Sequence, residues 1–172
     1  MSLPFHLVKP IPGGRPLSSF YRSLEADPQW VCQAKLDGQR ALWDGSRLWS
    51  RRGNLLDLCA PVLEELQQHA PGVMLDGEYL TEVGTFRRRA RFVAFDVPGP
   101  GSLLERWSLL SELVAPMDPD LVEVCPHGVT WGDVEAQGWE GVVFKRTNSP
   151  YSRAMRPNKT TPAWIKFRAI NS

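Results

Sequence analysis

No stretch of this 172-residue chain is apolar for long enough to cross a bilayer, and no segment repeats. Its start does not read as a secretory signal, so the expectation is a cytoplasmic protein with no membrane partner. Cysteine is scarce. Cys32, Cys59 and Cys125 are odd in number, widely spaced and without metal-type pairing, which argues against a disulfide framework and leaves them as small apolar packing groups. His6, His69 and His127 fall in no ligand spacing. Neither sign of charge is in excess: 20 lysines and arginines face 19 acidic residues, a formal net charge of +1. Overall charge therefore does not predict a nucleic-acid binder, and any basic surface must be local.

What is present is an ordinary globular composition, 42% hydrophobic and 23% charged, in a length that suits one domain over residues 1–172. Residues 1–19, rich in proline and glycine, read as an extended lead-in. Ser18 or Ser19 can cap a short helix that Pro28 ends. Val31–Lys35, Arg40–Asp44 and Arg47–Arg51 are strand-like, and Asp37-Gly38 between the first two carries a hairpin signal. A helix is predicted over 57–69, from Leu58, Val62, Leu63 and Leu66 at helical spacing. Val73–Leu80 is a strand, Thr85–Arg91 a basic loop and Arg91–Val97 a strand. Ser102 with Glu105 forms a capping box for a helix over 103–114. Leu121–Cys125 is a short strand and Trp131–Gln137 a short helix stopped at Gly138. Gly141–Lys145 and Trp164–Arg168 are strands either side of a long proline-containing loop. The sum is an α+β chain, mostly antiparallel sheet flanked by helices.

The chemistry gathers around Lys35-Leu-Asp37-Gly38-Gln-Arg40. A lysine held at a turn is a potential nucleophile, and a following glycine lets a phosphate approach the backbone. Further on come Ser50-Arg51-Arg52-Gly53, Leu75-Asp76-Gly77-Glu78, Phe92-Val-Ala-Phe95-Asp96, Glu140-Gly141-Val-Val-Phe-Lys145 and Trp164-Ile-Lys166-Phe-Arg168. Each alone has a dull explanation as a turn, a core strand or a strand entry. Together they resemble, in order and across residues 33–168, the motifs of the nucleotidyltransferase domain of ATP-dependent DNA ligases. That resemblance implies an ATP-grasp-like α+β adenylation fold, with the oligonucleotide-binding barrel that usually follows it expected to be absent here.

The resemblance also implies a reaction. Lys35 attacks the α-phosphate of ATP, expels pyrophosphate and holds AMP as a phosphoramidate, which then passes to the 5′-phosphate of nicked duplex DNA for sealing by a 3′-hydroxyl, in repair. A lysine with a reference pKa of about 10.4 is under a thousandth neutral at pH 7, so bringing it near neutrality is worth roughly 4 kcal/mol. Nearby cations and desolvation must supply that against the triphosphate's charge. Lys145, Lys166 and Arg168 are the cations on hand, and they also suit charge building on the α-phosphate. Glu140 and Asp96 are the expected ligands of Mg²⁺, a hard cation that takes oxygen donors. By the same resemblance, Arg40 and Glu78 contact the ribose, Phe95 stacks on adenine, and Asp96 also orders the site. Gln33 stands where many DNA ligases carry a glutamate facing the adenine amino group; its carbonyl can accept that bond without the charge. Arg168 stands for the second lysine of the last motif and is not interchangeable with it.

Arg51, Arg52, Arg87, Arg88 and Arg89 are the expected phosphate contacts on nucleic acid. Arg153, Arg156 and Lys159 extend that track, and Ser149-Pro150-Tyr151 resembles bacterial repair-type ligases. Four other readings stay open: RNA or RNA-containing ends as substrate, a module that binds nucleotide or DNA without catalysis, a protein partner replacing the missing barrel, and a guanylate-transferring capping enzyme.

Overall fold

In the computed structural model, residues 3–57, 59–83 and 88–169 are described, the side chains of residues 82, 83, 88 and 89 excepted. The chain folds as two compact units. The first takes in residues up to Phe5, Gly38–Gly101 and Glu105–Cys125; the second takes in His6–Asp37, Ser102–Leu104 and the chain from Pro126 onward. Among the described residues no helix is long and apolar enough to cross a membrane.

The second unit is built on a sheet in the order β2 (Lys9–Pro12), β11 (Thr160–Arg168), β9 (Gly141–Arg146) and β3 (Trp30–Lys35), with β2 parallel to β11 and the other pairs antiparallel. Side chains alternate across a pleated strand, and this alternation sorts the sheet into two faces. Cys32, Val142, Phe144, Ile165 and Phe167 enter a core with Tyr21, Leu24, Trp131 and Val134. Tyr21 supplies the centre, its ring edge-on to Phe144 and Phe167 at 5.0 Å and to Trp131 at 6.0 Å. Tyr21 and Leu24 are carried by α1 (Ser19–Ala26), whose N-terminus is capped by the Ser18 hydroxyl accepting from the Tyr21 N–H at 3.2 Å. Trp131 and Val134 come from α4 (Trp131–Gln137), which opens with a Thr130–Asp133 capping box and closes at Gly138 with φ 68°. Both helices match the sequence expectation. The lead-in does more than lie on the domain, for β1 (His6–Leu7) pairs with β10 (Arg153–Ala154) and β2 adds an edge strand.

The first unit has a second sheet, ordered β5 (Leu48–Ser50), β4 (Gln39–Trp43), β6 (Leu75–Val83), β7 (Arg88–Asp96), β8 (Val122–Val124). Ala41, Trp43, Leu75, Tyr79, Phe92 and Ala94 face a core closed by Val62 and Leu66 of α2 (Ala60–His69) and Leu110 of α3 (Leu103–Val114). Helix α2 begins three residues later than periodicity suggests, with Cys59 as its N-cap and proline in the first turn.

Two local expectations are corrected, and a third, the strand through Asp76-Gly77, holds. Asp37-Gly38 is not a hairpin turn: β3 and β4 belong to different sheets, and the chain leaves the second unit for the first at this point. The basic segment expected as a loop over 85–91 is strand from Arg88, because β6 runs on to Val83 and gives it a partner. Asp76-Gly77 lies inside β6, where a side chain on Gly77 would stand 2.4 Å from the Val93 carbonyl. Glycine is needed there for close strand approach.

Candidate active site

The face of the second unit's sheet that is turned away from its core holds residues from three of the sequence motifs. Register places Lys35 opposite Gly141 and Gly141 opposite Arg168, so a lysine and an arginine flank a glycine in one row. In the next row Gln33 stands opposite Val143, and Val143 opposite Lys166. Lys145 pairs with Trp164 one row further. Strand alternation alone thus puts Gln33, Lys35, Lys145, Lys166 and Arg168 on one surface.

Lys35 does not point into open solvent. Its Nζ donates to Glu140 Oε2 at 2.7 Å, and Glu140 Oε1 accepts from Arg168 Nε at 2.9 Å. The Lys35 and Glu140 side chains are 20% and 15% exposed, a partly desolvated pair. Gly141 permits the row: a Cβ there would sit 2.0 Å from the Phe167 carbonyl, so β9 and β11 need glycine to close at this height. Burial, together with the positive charges of Arg168 and Lys35, holds the Lys166 ammonium below its usual range, with Glu140 opposing. Lys145 is buried, with its ammonium 4.3 Å from the centre of the Trp164 ring. Gln33 is buried too, and its backbone forms an isolated bridge with His127.

The first unit carries the other assigned residues on the non-core face of its own sheet. Arg40 stands opposite Glu78 in the β4–β6 register. Its guanidinium makes a two-pronged pair with the buried Asp76, Nη2 to Oδ2 at 2.7 Å and Nε to Oδ1 at 3.2 Å, and lies 5.4 Å from the centre of the Phe95 ring. Phe95 is the extra residue of a β-bulge, since Asp76 aligns with Asp96 but Gly77 with Ala94. Bulges re-aim side chains, here a half-buried aromatic. Asp96 is corrected as a metal ligand. It is fully buried, Oδ1 accepting from Arg106 Nε at 2.8 Å and from the Val97 N–H at 2.8 Å, and Oδ2 from Arg106 Nη2 at 3.2 Å. Its carboxylate is closed by arginine.

Arg106 is the residue that sequence reasoning passed over. Beside it Trp107 Nε1 donates to the Phe95 carbonyl at 2.8 Å, so α3 grips both ends of the bulge. The signal was there: Leu103, Arg106, Trp107, Leu110 and Val114 form the buried stripe of the helix, and an arginine inside such a stripe needs a buried acid.

Ser50-Arg51-Arg52-Gly53 is a tight turn, with the Gly53 N–H donating to the Ser50 carbonyl at 3.0 Å and Gly53 at φ 84°. The Ser50 hydroxyl accepts from the Asn54 N–H at 3.1 Å, and Arg51 and Arg52 are left exposed. Arg87 and the side chains of Arg88 and Arg89 lie outside the described residues.

Among the described residues there is no group of three or more His, Cys, Asp or Glu side chains placed to hold a metal. Magnesium does not require one, since it commonly binds through one or two carboxylates plus substrate phosphates. Glu140 fits that use: it is partly exposed, and a carboxylate has about four lone-pair sites, more than its two ion pairs occupy.

No family model matches the sequence. A DNA ligase of Haemophilus influenzae is 28% identical over 148 residues, which covers 72% of this chain and 54% of the relative. The chain thus spans about half the length of the curated relative it matches. Among solved structures, mycobacterial DNA ligase D complexed with ATP is 25% identical with a TM-score of 0.71, covering 95% of this chain and 60% of that one. A Lig E DNA ligase, from work on DNA binding with a minimal scaffold, is 20% identical with a TM-score of 0.71 over 95% of this chain and 68% of its own. In fold and in sequence this chain resembles the adenylation domain of the ATP-dependent DNA ligases.

Proposed function

We propose that this chain adenylates itself from ATP at Lys35 and delivers the AMP to a 5′-phosphate at a DNA nick. The observation that carries the reading is the Lys35–Glu140–Arg168 row, set on one sheet face with Lys166 and Lys145. Lys35 Nζ forms a bond to the α-phosphorus, the bond to the bridging oxygen breaks, and pyrophosphate leaves. The ammonium must first lose a proton, and the Glu140 carboxylate at 2.7 Å is the nearest acceptor. The cations on the same sheet face neutralise charge on the phosphate as it is attacked. Mg²⁺ bound with the nucleotide would be held by Glu140 and would add to that neutralisation. Phe95 offers the face on which adenine stacks, Arg40 and Glu78 take the ribose, and Gln33 accepts from the adenine amino group. Arg51, Arg52, Arg87, Arg88 and Arg89 take phosphates of the duplex. Sealing of the nick, a place in DNA repair and a cytoplasmic location belong to the same proposal.

The test is incubation with α-labelled ATP and Mg²⁺. Label should stay with the denatured protein, should be discharged by pyrophosphate added beforehand, and should be lost in Lys35→Ala. Absence of label on the wild-type protein, with and without nicked DNA, refutes the reading.

A further inference from the structure

We infer that the loop spanning Arg153–Lys159 is a duplex-gripping element, its three cations on backbone phosphates and Met155 in the minor groove. The inference rests on the reading above in taking nicked DNA as the partner. It starts from a charge pattern that net charge conceals. From Gly141 to Ser172 the chain has seven basic residues, Lys145, Arg146, Arg153, Arg156, Lys159, Lys166 and Arg168, and no Asp or Glu. The remainder carries 13 lysines and arginines against 19 acidic residues. Lys145, Lys166 and Arg168 belong to the sheet face already described, and Arg146 lies 4.9 Å from the centre of the Trp30 ring. Arg153, Arg156 and Lys159 are exposed and stand on one loop that the adenylation chemistry does not use.

The loop is tied down at both ends. Arg153 and Ala154 pair with Leu7 and His6, and Ala154 is buried. The Lys9 N–H donates to the Lys159 carbonyl at 2.8 Å, and the Lys9 ammonium donates to Asn158 Oδ1 at 2.7 Å. Asn158 turns the chain with φ 63°, a conformation asparagine tolerates better than most residues. Before the loop Tyr151 is buried edge-on to Trp164, with ring centres 6.4 Å apart. Between these anchors Met155 is 96% exposed, the most exposed large apolar side chain among the described residues. Among the described residues nothing covers this unbranched apolar side chain, held out on a fixed loop between two arginines.

Basic groups around an apolar tip are what minor-groove binders present: phosphate contacts fix the position and an apolar wedge enters between base steps. A single strand is the poorer fit. Proteins that hold single strands offer aromatic platforms for the bases, and this loop has none, since Tyr151 and Trp164 are buried. An acidic protein would satisfy the cations but gives Met155 no groove.

The test measures binding of the whole chain to an unsealable nicked duplex, lacking the 3′-hydroxyl, over a salt series. Each phosphate that is no longer neutralised makes the slope of log K against log[salt] shallower by about 0.9, so Arg153→Gln/Arg156→Gln/Lys159→Gln should flatten it by roughly 2–3. Labelling by ATP without DNA should be unchanged in that variant, which shows that it folds. Met155→Ala should weaken duplex binding by about three- to tenfold with the slope unchanged, and should not affect a single strand of the same sequence. An unaltered slope in the triple variant overturns the inference. So does a slope flattened equally for duplex and single strand with Met155→Ala inert, or a larger loss on duplex RNA. A wild-type chain that takes no label yet shows the slope change would sink the adenylation reading alone.

Discussion

At the residue scale, the sheet face of the second unit is a place where folding and chemistry pull apart. Burial, and then Arg168 and Lys35, push the pKa of Lys166 down from 10.5 there. A lysine whose folded pKa is lowered binds its proton less readily in the folded chain than in the unfolded one. Below both values the folded state carries the whole disadvantage, and stability rises as pH climbs through the lowered value toward 10.5. Lys166→Met should therefore leave the melting temperature at pH 7 unchanged or higher, and should lack that rise at alkaline pH. Labelling from ATP should fall by at least about tenfold, or about 1.4 kcal/mol of transition-state stabilisation. A lower melting temperature with normal labelling would mean that the ammonium serves the fold. The buried acid of the first unit gives the opposite case. Asp96 and Arg106 are 0% and 1% exposed, so Arg106→Ala leaves an unpaired carboxylate inside the protein. Such losses run to about 3–5 kcal/mol in chemical denaturation. Replacing both partners, as Asp96→Leu/Arg106→Met, should cost much less; equal losses would assign the effect to packing and not to charge.

At the element scale, glycine marks how tightly strands must approach. Gly141 stands in register between Lys35 and Arg168, with the Phe167 carbonyl 2.0 Å from where a Cβ would be. Gly141→Ala must part β9 from β11, at a cost of about 1–3 kcal/mol, and spread the row that holds Glu140. Gly132, inside α4, meets only the Thr130 hydroxyl at 3.5 Å, so Gly132→Ala should raise stability by about 0.5–1 kcal/mol. Denaturation curves for the pair check both signs, and equal effects would refute the register argument. Elements made by local pattern were legible in the sequence. The residue types in 31–35, 141–145 and 164–168 placed the strands, and Ser18 and Gly138 marked helix ends. Where pairing is non-local, local signals misled. Asp37-Gly38 has hairpin chemistry, but β3 finds its partner in β9, more than a hundred residues on. Asp96 was expected to take a metal, and its partner Arg106 comes from α3, ten residues on, which the strand motif does not reveal.

At the scale of the whole chain, the two units each close a core of their own, one around Trp43, Phe92 and Leu66 and the other around Tyr21, Phe144 and Phe167. A ligand that binds only the folded chain stabilises it by mass action, by about 2.7 kcal/mol at a hundred times its Kd. For a chain of this length that is about 5–11 °C in melting temperature, at roughly 2–4 °C per kcal/mol. A non-hydrolysable ATP analogue with Mg²⁺ should therefore raise the melting temperature by that order, and GTP by less if Gln33 and Phe95 read the base. Phe95→Ala and Lys145→Ala should each reduce the shift while leaving the ligand-free Tm of a folded chain to compare against. Should only one of them respond, the role proposed for the other residue is wrong. Should neither respond while the wild-type shift persists, the nucleotide binds elsewhere and the motif residues are structural.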